Sequence, residues 1–133
     1  MKKIQKLALL GSLLVSHIPA FAEDFPWSTG QGLVDTCKKT SSLSKKSSEE
    51  DVALAMICSV QFTSWRDAWT FADAYNTNYL NKSGPICVPD AISNITVIEG
   101  FIKWAKLNMT STLKSQPSTA AVYMYMRSAY PCT

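Results

Sequence analysis

The side chains of this chain with the most versatile chemistry are its four cysteines: Cys37, Cys58, Cys87 and Cys132. A cysteine sulfur can attack a substrate, ligate a metal or form a disulfide. The cellular compartment of the protein and the spacing of the cysteines in the sequence indicate which of these roles applies. Structural zinc sites usually present cysteines in close pairs, and no two of these four are spaced as Cys-x-x-Cys. An even number of cysteines in an exported chain therefore predicts two disulfides.

The N-terminus predicts that the chain is exported. The basic stretch "MKKIQK" precedes the apolar run "LALLGSLLV", and Pro19 and the small-x-small triplet "AFA" follow. This is the pattern of a secretory signal peptide, and its apolar run is too short to span a membrane. We expect residues 1–22 to be a cleaved signal peptide and residues 23–133 to form one periplasmic domain without membrane association. The alternative is an N-terminal membrane anchor, which Pro19 disfavours.

Cleavage after Ala22 would leave a chain without histidine, because His17 is the single histidine of the sequence. A Ser-His-Asp triad, a Cys-His pair and an HExxH zinc site would then all be excluded. There is no Gly-x-Ser-x-Gly nucleophile elbow. Asp67 and Asp73 lie six residues apart on one predicted helix, so they would point about 120° apart rather than converge. We therefore predict a protein that is not an enzyme and has neither cofactor nor metal.

The charge balance argues against nucleic acid as a partner. The signal peptide would remove Lys2, Lys3 and Lys6, which reduces the 13 basic residues to 10, equal to the 10 acidic ones. Proteins that bind nucleic acid concentrate lysine and arginine to neutralise phosphates, and no basic stripe with interleaved aromatics occurs here.

The spacing of apolar residues predicts an all-α domain with four main helices. Ser28 or Thr29 can cap the first helix, and the polar stretch "KTSSLSKKSSEED" is expected to connect it to the second. Ser48 followed by Asp51 resembles a capping box at the start of a helix of about 25 residues. The apolar stripe of this second helix steps by three and four: Ala55, Cys58, Phe62, Trp65, Trp69 and Ala72.

The second half of the chain predicts two further helices, separated by loops. "NTNYLNKSGPICVPD" is expected to be a loop, after which Ser93 can cap the third helix. Its predicted apolar face consists of Val97, Phe101, Trp104 and Leu107. Pro117 suits the first turn of the last helix, after a second break at "NMTSTLKSQPS". The predicted face of that helix consists of Ala120, Tyr123, Met126 and Tyr130.

Short motifs around the cysteines resemble those of a known family. They are "TGQGLVDTC" at the first cysteine, "DA" nine residues after Cys58, "CVP" at 87–89, "KW" in the third helix and the closing "AYPC". In this order and behind a signal peptide, they make the sequence similar to the Rap/Tai family of small exported bacterial proteins. Val60 and Ser64 stand where that family usually has glycines, so we expect bulkier packing on this part of the second helix.

The resemblance implies a periplasmic immunity protein. Members of the family bind a peptidoglycan amidase effector of type VI secretion and block its active-site cleft, often as a homodimer. The alternative is a periplasmic binding or chaperone-like helical module without a toxin partner. A gene for a secreted amidase directly beside this one would favour the first function.

Four cysteines allow three pairings, and the sequence alone does not choose between them. The predicted order of helices favours Cys37 with Cys58, since these lie on consecutive helices joined by a flexible connector. Cys87 lies at the entry of the third helix, and an antiparallel fourth helix would return Cys132 to the same end. We therefore expect Cys87 to pair with Cys132.

The loop "NTNYLNKSG" is the predicted contact with the partner, through Tyr79, Asn81 and Lys82. A tyrosine offers a rigid amphipathic contact, and loops on rigid scaffolds often carry recognition. The alternative is an ordinary solvated connector.

Overall fold

The computed structural model describes residues 25–132, and all their regular elements are helical. The four main helices are α1 (Gly30–Ser42), α2 (Glu49–Tyr75), α3 (Asn94–Asn108) and α5 (Ser118–Ala129), and the single-turn α4 (Ser111–Ser115) precedes α5. This confirms the predicted all-α fold. None of the helices in this part of the chain is long and apolar enough to span a membrane. The predicted signal peptide lies outside the described residues.

Helix α1 begins at the predicted cap, because the hydroxyl of Thr29 accepts a hydrogen bond from the backbone N–H of Gly32 at 3.1 Å. It ends later than predicted. The first residues of the expected connector stay helical to Ser42, where the hydroxyls of Thr40 and Ser42 donate to carbonyls three residues back. The true connector is therefore only residues 43–48.

Helix α2 begins where the capping signal placed it, with the hydroxyl of Ser48 accepting from the backbone N–H of Asp51 at 3.1 Å. Its predicted stripe is buried at Ala55, Cys58 and Phe62, and the two tryptophans farther along are partly buried against the core. The expected bulkier packing after Cys58 is wrong. Val60 is 61% exposed and Ser64 is exposed too, so both face solvent.

The third and last helices confirm their predicted starts but only part of their predicted faces. In α3, Val97 and Phe101 are buried, whereas Leu107 is 83% exposed and Ala105 takes its place. In α5, Met126 is buried, but the other buried apolar residues of this helix are Ala121, Val122 and Tyr125. Each predicted face contains two consecutive steps of three, which drift around a helix with 3.6 residues per turn, and α5 meets the core on a face about one residue away from the predicted one.

One continuous core joins the four main helices. Phe62 of α2, Phe101 of α3 and Tyr125 of α5 lie in ring contact, with centroids 5.3 Å and 5.7 Å apart. The start of α1 is tied to the start of α5 by two backbone hydrogen bonds. The N–H of Gly30 donates to the carbonyl of Gln116, and the N–H of Ser118 donates to the carbonyl of Ser28.

Two disulfides connect this core, and they are the two pairs that the helix order favours. Cys37–Cys58 joins α1 to α2 across 21 positions of sequence. Cys87–Cys132 joins the segment before α3 to the chain end across 45 positions. The described residues contain no free cysteine. The cysteine near the C-terminus therefore fastens the end of the chain rather than offering an exposed thiol.

Candidate partner-binding surface

The predicted contact residues lie at the far end of α2, in a conformation that the sequence analysis had wrong. "NTNYL" is not a loop but a π-helical turn, Asn76–Leu80, that continues α2 directly. Asn81 then turns the chain with φ 51° and ψ 42°, the left-handed region that asparagine adopts more readily than most residues. The N–H groups of Asn81 and Lys82 both donate to the carbonyl of Asn76, which closes the turn.

The structure brings Tyr79, Asn81 and Lys82 together at this end, and all three are exposed. Tyr79 is 75% exposed, and its ring packs on that of Tyr75 with centroids 4.9 Å apart. This mutual packing restricts the rotamers of two large side chains before any partner binds, which lowers the entropy cost of using them as contacts.

Two further aromatic residues extend this surface, and neither was predicted from the sequence. Phe71 is 73% exposed and Tyr75 is 49% exposed. With Tyr79 they repeat every four residues on one side of the helix and line a shallow depression of about 380 Å³. We call Phe71, Tyr75 and Tyr79 the aromatic ridge. The step of four was visible in the sequence, but the predicted helix ended too early to connect Tyr79 with the other two.

The base of the ridge is held by a carboxylate. Oδ1 of Asp73 accepts from the backbone N–H of Gly84 at 2.6 Å, so the chain leaving the π-helical turn folds back onto α2. A Cβ on Gly84 would lie 3.0 Å from the Cα of Asp73, so only glycine allows this approach without displacement. The sulfur of Cys132 lies 3.7 Å from the same oxygen, which places the second disulfide at this base.

An arginine organises the segment that follows. The guanidinium of Arg66 donates to the carbonyls of Pro89 and Ile92, at 2.9 Å and 2.5 Å, and to the side-chain oxygen of Asn94 at 3.2 Å. One side chain of α2 thus fixes three acceptors of the connection into α3. The planar fork of arginine suits such a task better than the point charge of lysine.

The second disulfide limits the metal chemistry that is available at this end of α2. Among the described residues, one group of three potential metal ligands occurs: Asp73, Cys87 and Cys132. Both of its sulfurs are consumed in a disulfide, so they are not thiolates that could ligate a metal. What remains at this end of α2 is an exposed aromatic surface on a disulfide-tied base, a pattern typical of a protein-binding module.

These features define a small helical domain tied by disulfides, with an exposed aromatic surface at one end. The family model of Rap1a immunity proteins matches residues 29–132, and the chain belongs to that family. This confirms the resemblance read from the cysteine motifs. No curated protein and no solved structure shows significant similarity to the chain. The family points to a non-catalytic immunity protein that binds a secreted effector.

Proposed function

We propose that this protein is a periplasmic immunity protein that inhibits a peptidoglycan amidase effector of type VI secretion by covering the amidase's active-site cleft. The observation that carries the proposal is the aromatic ridge with Asn81 and Lys82 at its end. Large exposed aromatics on a rigid base are costly on a protein surface without a partner, and tyrosine is enriched among the residues that dominate binding energy.

The shape of this surface supports a contact with a cleft. The ridge runs along one helix and ends in a tight turn, so apart from the shallow depression between its rings it is a narrow feature that a concave active-site cleft can accommodate. Lys82 adds a positive charge at the turn. The base of the ridge needs little ordering on binding because Asp73, Gly84 and the Cys87–Cys132 disulfide already hold it.

Homodimer formation belongs to the same proposal. Val52, Met56 and Val60 repeat every four residues on the N-terminal half of α2, and all three are exposed. This row lies on the same helix as the ridge but about three turns or more away from it along the axis. Light scattering should give twice the mass of the mature chain, and Met56→Glu should reduce it to the monomer mass. A wild-type monomer would remove this part of the proposal.

The function is tested by titrating the mature chain into a candidate amidase effector encoded by a neighbouring gene and measuring release of peptide fragments from purified peptidoglycan. We expect activity to fall linearly and to vanish near one immunity chain per amidase, as expected for a tight inhibitor. A matched titration with reduced and alkylated protein, in which both disulfides are broken, shows whether inhibition requires the folded state. Full amidase activity at a tenfold excess of folded protein would contradict the proposal.

A further inference from the structure

A second feature, away from the aromatic ridge, is a groove of about 470 Å³ between α1, α3 and α4. Its floor is apolar and continuous with the core: Val34, Ile102, Ala105 and Met109. Its rim carries three exposed lysines: Lys38, Lys106 and Lys114. An apolar floor with a charged rim is the arrangement that binds an apolar group attached to something of opposite charge.

Two of the three lysine charges on the rim of this groove have no ion-pair partner among the described residues. Lys38 pairs with Asp35 at 2.8 Å, but no ion pair within residues 25–132 involves Lys106 or Lys114. After Glu99 the sequence contains four basic residues and no acidic one. The C-terminal third of the chain therefore carries a net positive charge, although the mature protein as a whole is expected to be neutral. Such segregation attracts negatively charged partners.

A neighbouring groove provides an internal comparison. It has the same volume of about 470 Å³ and lies on α3, α4 and α5, with Trp104, Leu113 and Met124 among its lining residues. No charged side chain lines it. Of these two grooves of equal volume, only the one beside α1 has lysines on its rim.

The chemistry of the rim favours a polypeptide over a single small anion. The groove has no arginine fork among its lining residues to grip one phosphate or carboxylate. Lysine ammonium groups are point charges on flexible stems, and such stems suit several carboxylates spread over a protein surface.

We infer that this lysine-rimmed groove binds an acidic segment of the partner effector, with one apolar side chain of that segment on the groove floor. This inference rests on the proposed function, and it assigns to the effector a second contact region besides the one covered by the aromatic ridge. The two regions have different roles, since the groove supplies electrostatic attraction and the ridge supplies buried aromatic area.

Charge reversal in the groove tests the inference. Lys106→Glu with Lys114→Glu is compared with Lys45→Glu and Lys46→Glu, which change the net charge equally but lie in the exposed connector between α1 and α2. We expect the groove pair to reduce the association rate with the amidase about tenfold at low salt, an effect that high salt removes. The connector pair should change it by less than about twofold. Lys106→Gln with Lys114→Gln is a milder variant in case the reversed pair fails to fold.

A peptide probe makes the test independent of the amidase. A fluorescein-labelled synthetic peptide of alternating leucines and paired glutamates should bind the wild-type protein in an anisotropy assay, and the same peptide with lysines should not. The groove variants should weaken this binding about tenfold. An amidase that does not bind the wild-type protein would overturn the proposed function but leave this assay decisive. A glutamate peptide that does not bind, or equal effects of groove and connector variants, would overturn the groove inference.

Discussion

Gly100 in the middle of α3 offers a sharp test of the packing described above. Glycine in an exposed helix interior costs about 1 kcal/mol relative to alanine, so Gly100→Ala would ordinarily stabilise the protein. Here a Cβ would overlap the hydroxyl oxygen of Tyr125 and lie 3.2 Å from the ring carbon that bears it. That hydroxyl donates to the carbonyl of Val97 at 3.0 Å and is buried. The alanine methyl group and the tyrosine hydroxyl cannot both keep these positions.

The magnitude follows from three contributions. Moving the ring loses a hydrogen bond worth about 1 kcal/mol. Repacking a filled core around an added methyl group costs about 1–3 kcal/mol. The gain in helix propensity returns about 1 kcal/mol, so the free energy of unfolding should fall by about 1–3 kcal/mol. Urea unfolding of residues 23–133 with both disulfides intact, followed by tryptophan fluorescence, measures this change.

Tyr125→Phe provides the control, since it removes the hydroxyl that the methyl group would meet. In that background the nearest remaining ring atom would lie 3.2 Å away, which a shift of a few tenths of an ångström relieves. Gly100→Ala should then be neutral or stabilising by up to about 1 kcal/mol. If Gly100→Ala stabilises the wild-type protein, or destabilises both backgrounds equally, the close contact between α3 and Tyr125 is not as described.

Three further outcomes are expected from the same structure. Cys87→Ser with Cys132→Ser should lower the free energy of unfolding by about 4 kcal/mol on the chain-entropy model, and peptide mapping of the unreduced wild type should recover Cys87 linked to Cys132. Arg66→Ala should cost about 1–3 kcal/mol in urea unfolding because it leaves carbonyl acceptors without their donor, and Arg66→Lys should recover only part of that loss. Burial raises the pKa of Tyr125 above its usual value of 10.0, so its neutral form is favoured in the folded state. The contribution of Tyr125 to the free energy of unfolding is therefore fully present below pH 10 and is lost as the pH rises further. Tyr125→Phe should reduce this loss of stability at high pH.

The helices were predictable where local signals and burial agreed. The caps at Thr29, Ser48 and Ser93 need only a hydroxyl before an apolar periodic run, and all three accept the expected backbone N–H. Helix order favoured the two observed disulfides, because a last helix antiparallel to the third returns Cys132 to the end of the domain where Cys87 lies.

Other features depended on contacts that the local sequence does not encode. The exposure of Leu107 depends on where α3 ends relative to α1 and α4, which apolar spacing does not specify. The π-helical continuation after Tyr75 contains asparagines and a threonine, which are typical of loops, so composition favoured the wrong interpretation. The ridge was missed for this reason. The anchoring of Gly84 by Asp73 joins residues 11 positions apart through a side chain and leaves no periodic signal.

Inhibition of the amidase by variants of the ridge tests the central claim most directly. Tyr79→Ala combined with Lys82→Glu is compared with Leu107→Ala combined with Lys45→Glu, which removes equally exposed groups elsewhere. Loss of a dominant contact costs about 2 kcal/mol or more, so the inhibition constant of the ridge variant should rise at least about thirtyfold. The control variant should inhibit like the wild type. Equal inhibition by the ridge variant and the wild type, with both folded by circular dichroism, would contradict the assignment of this surface to effector binding.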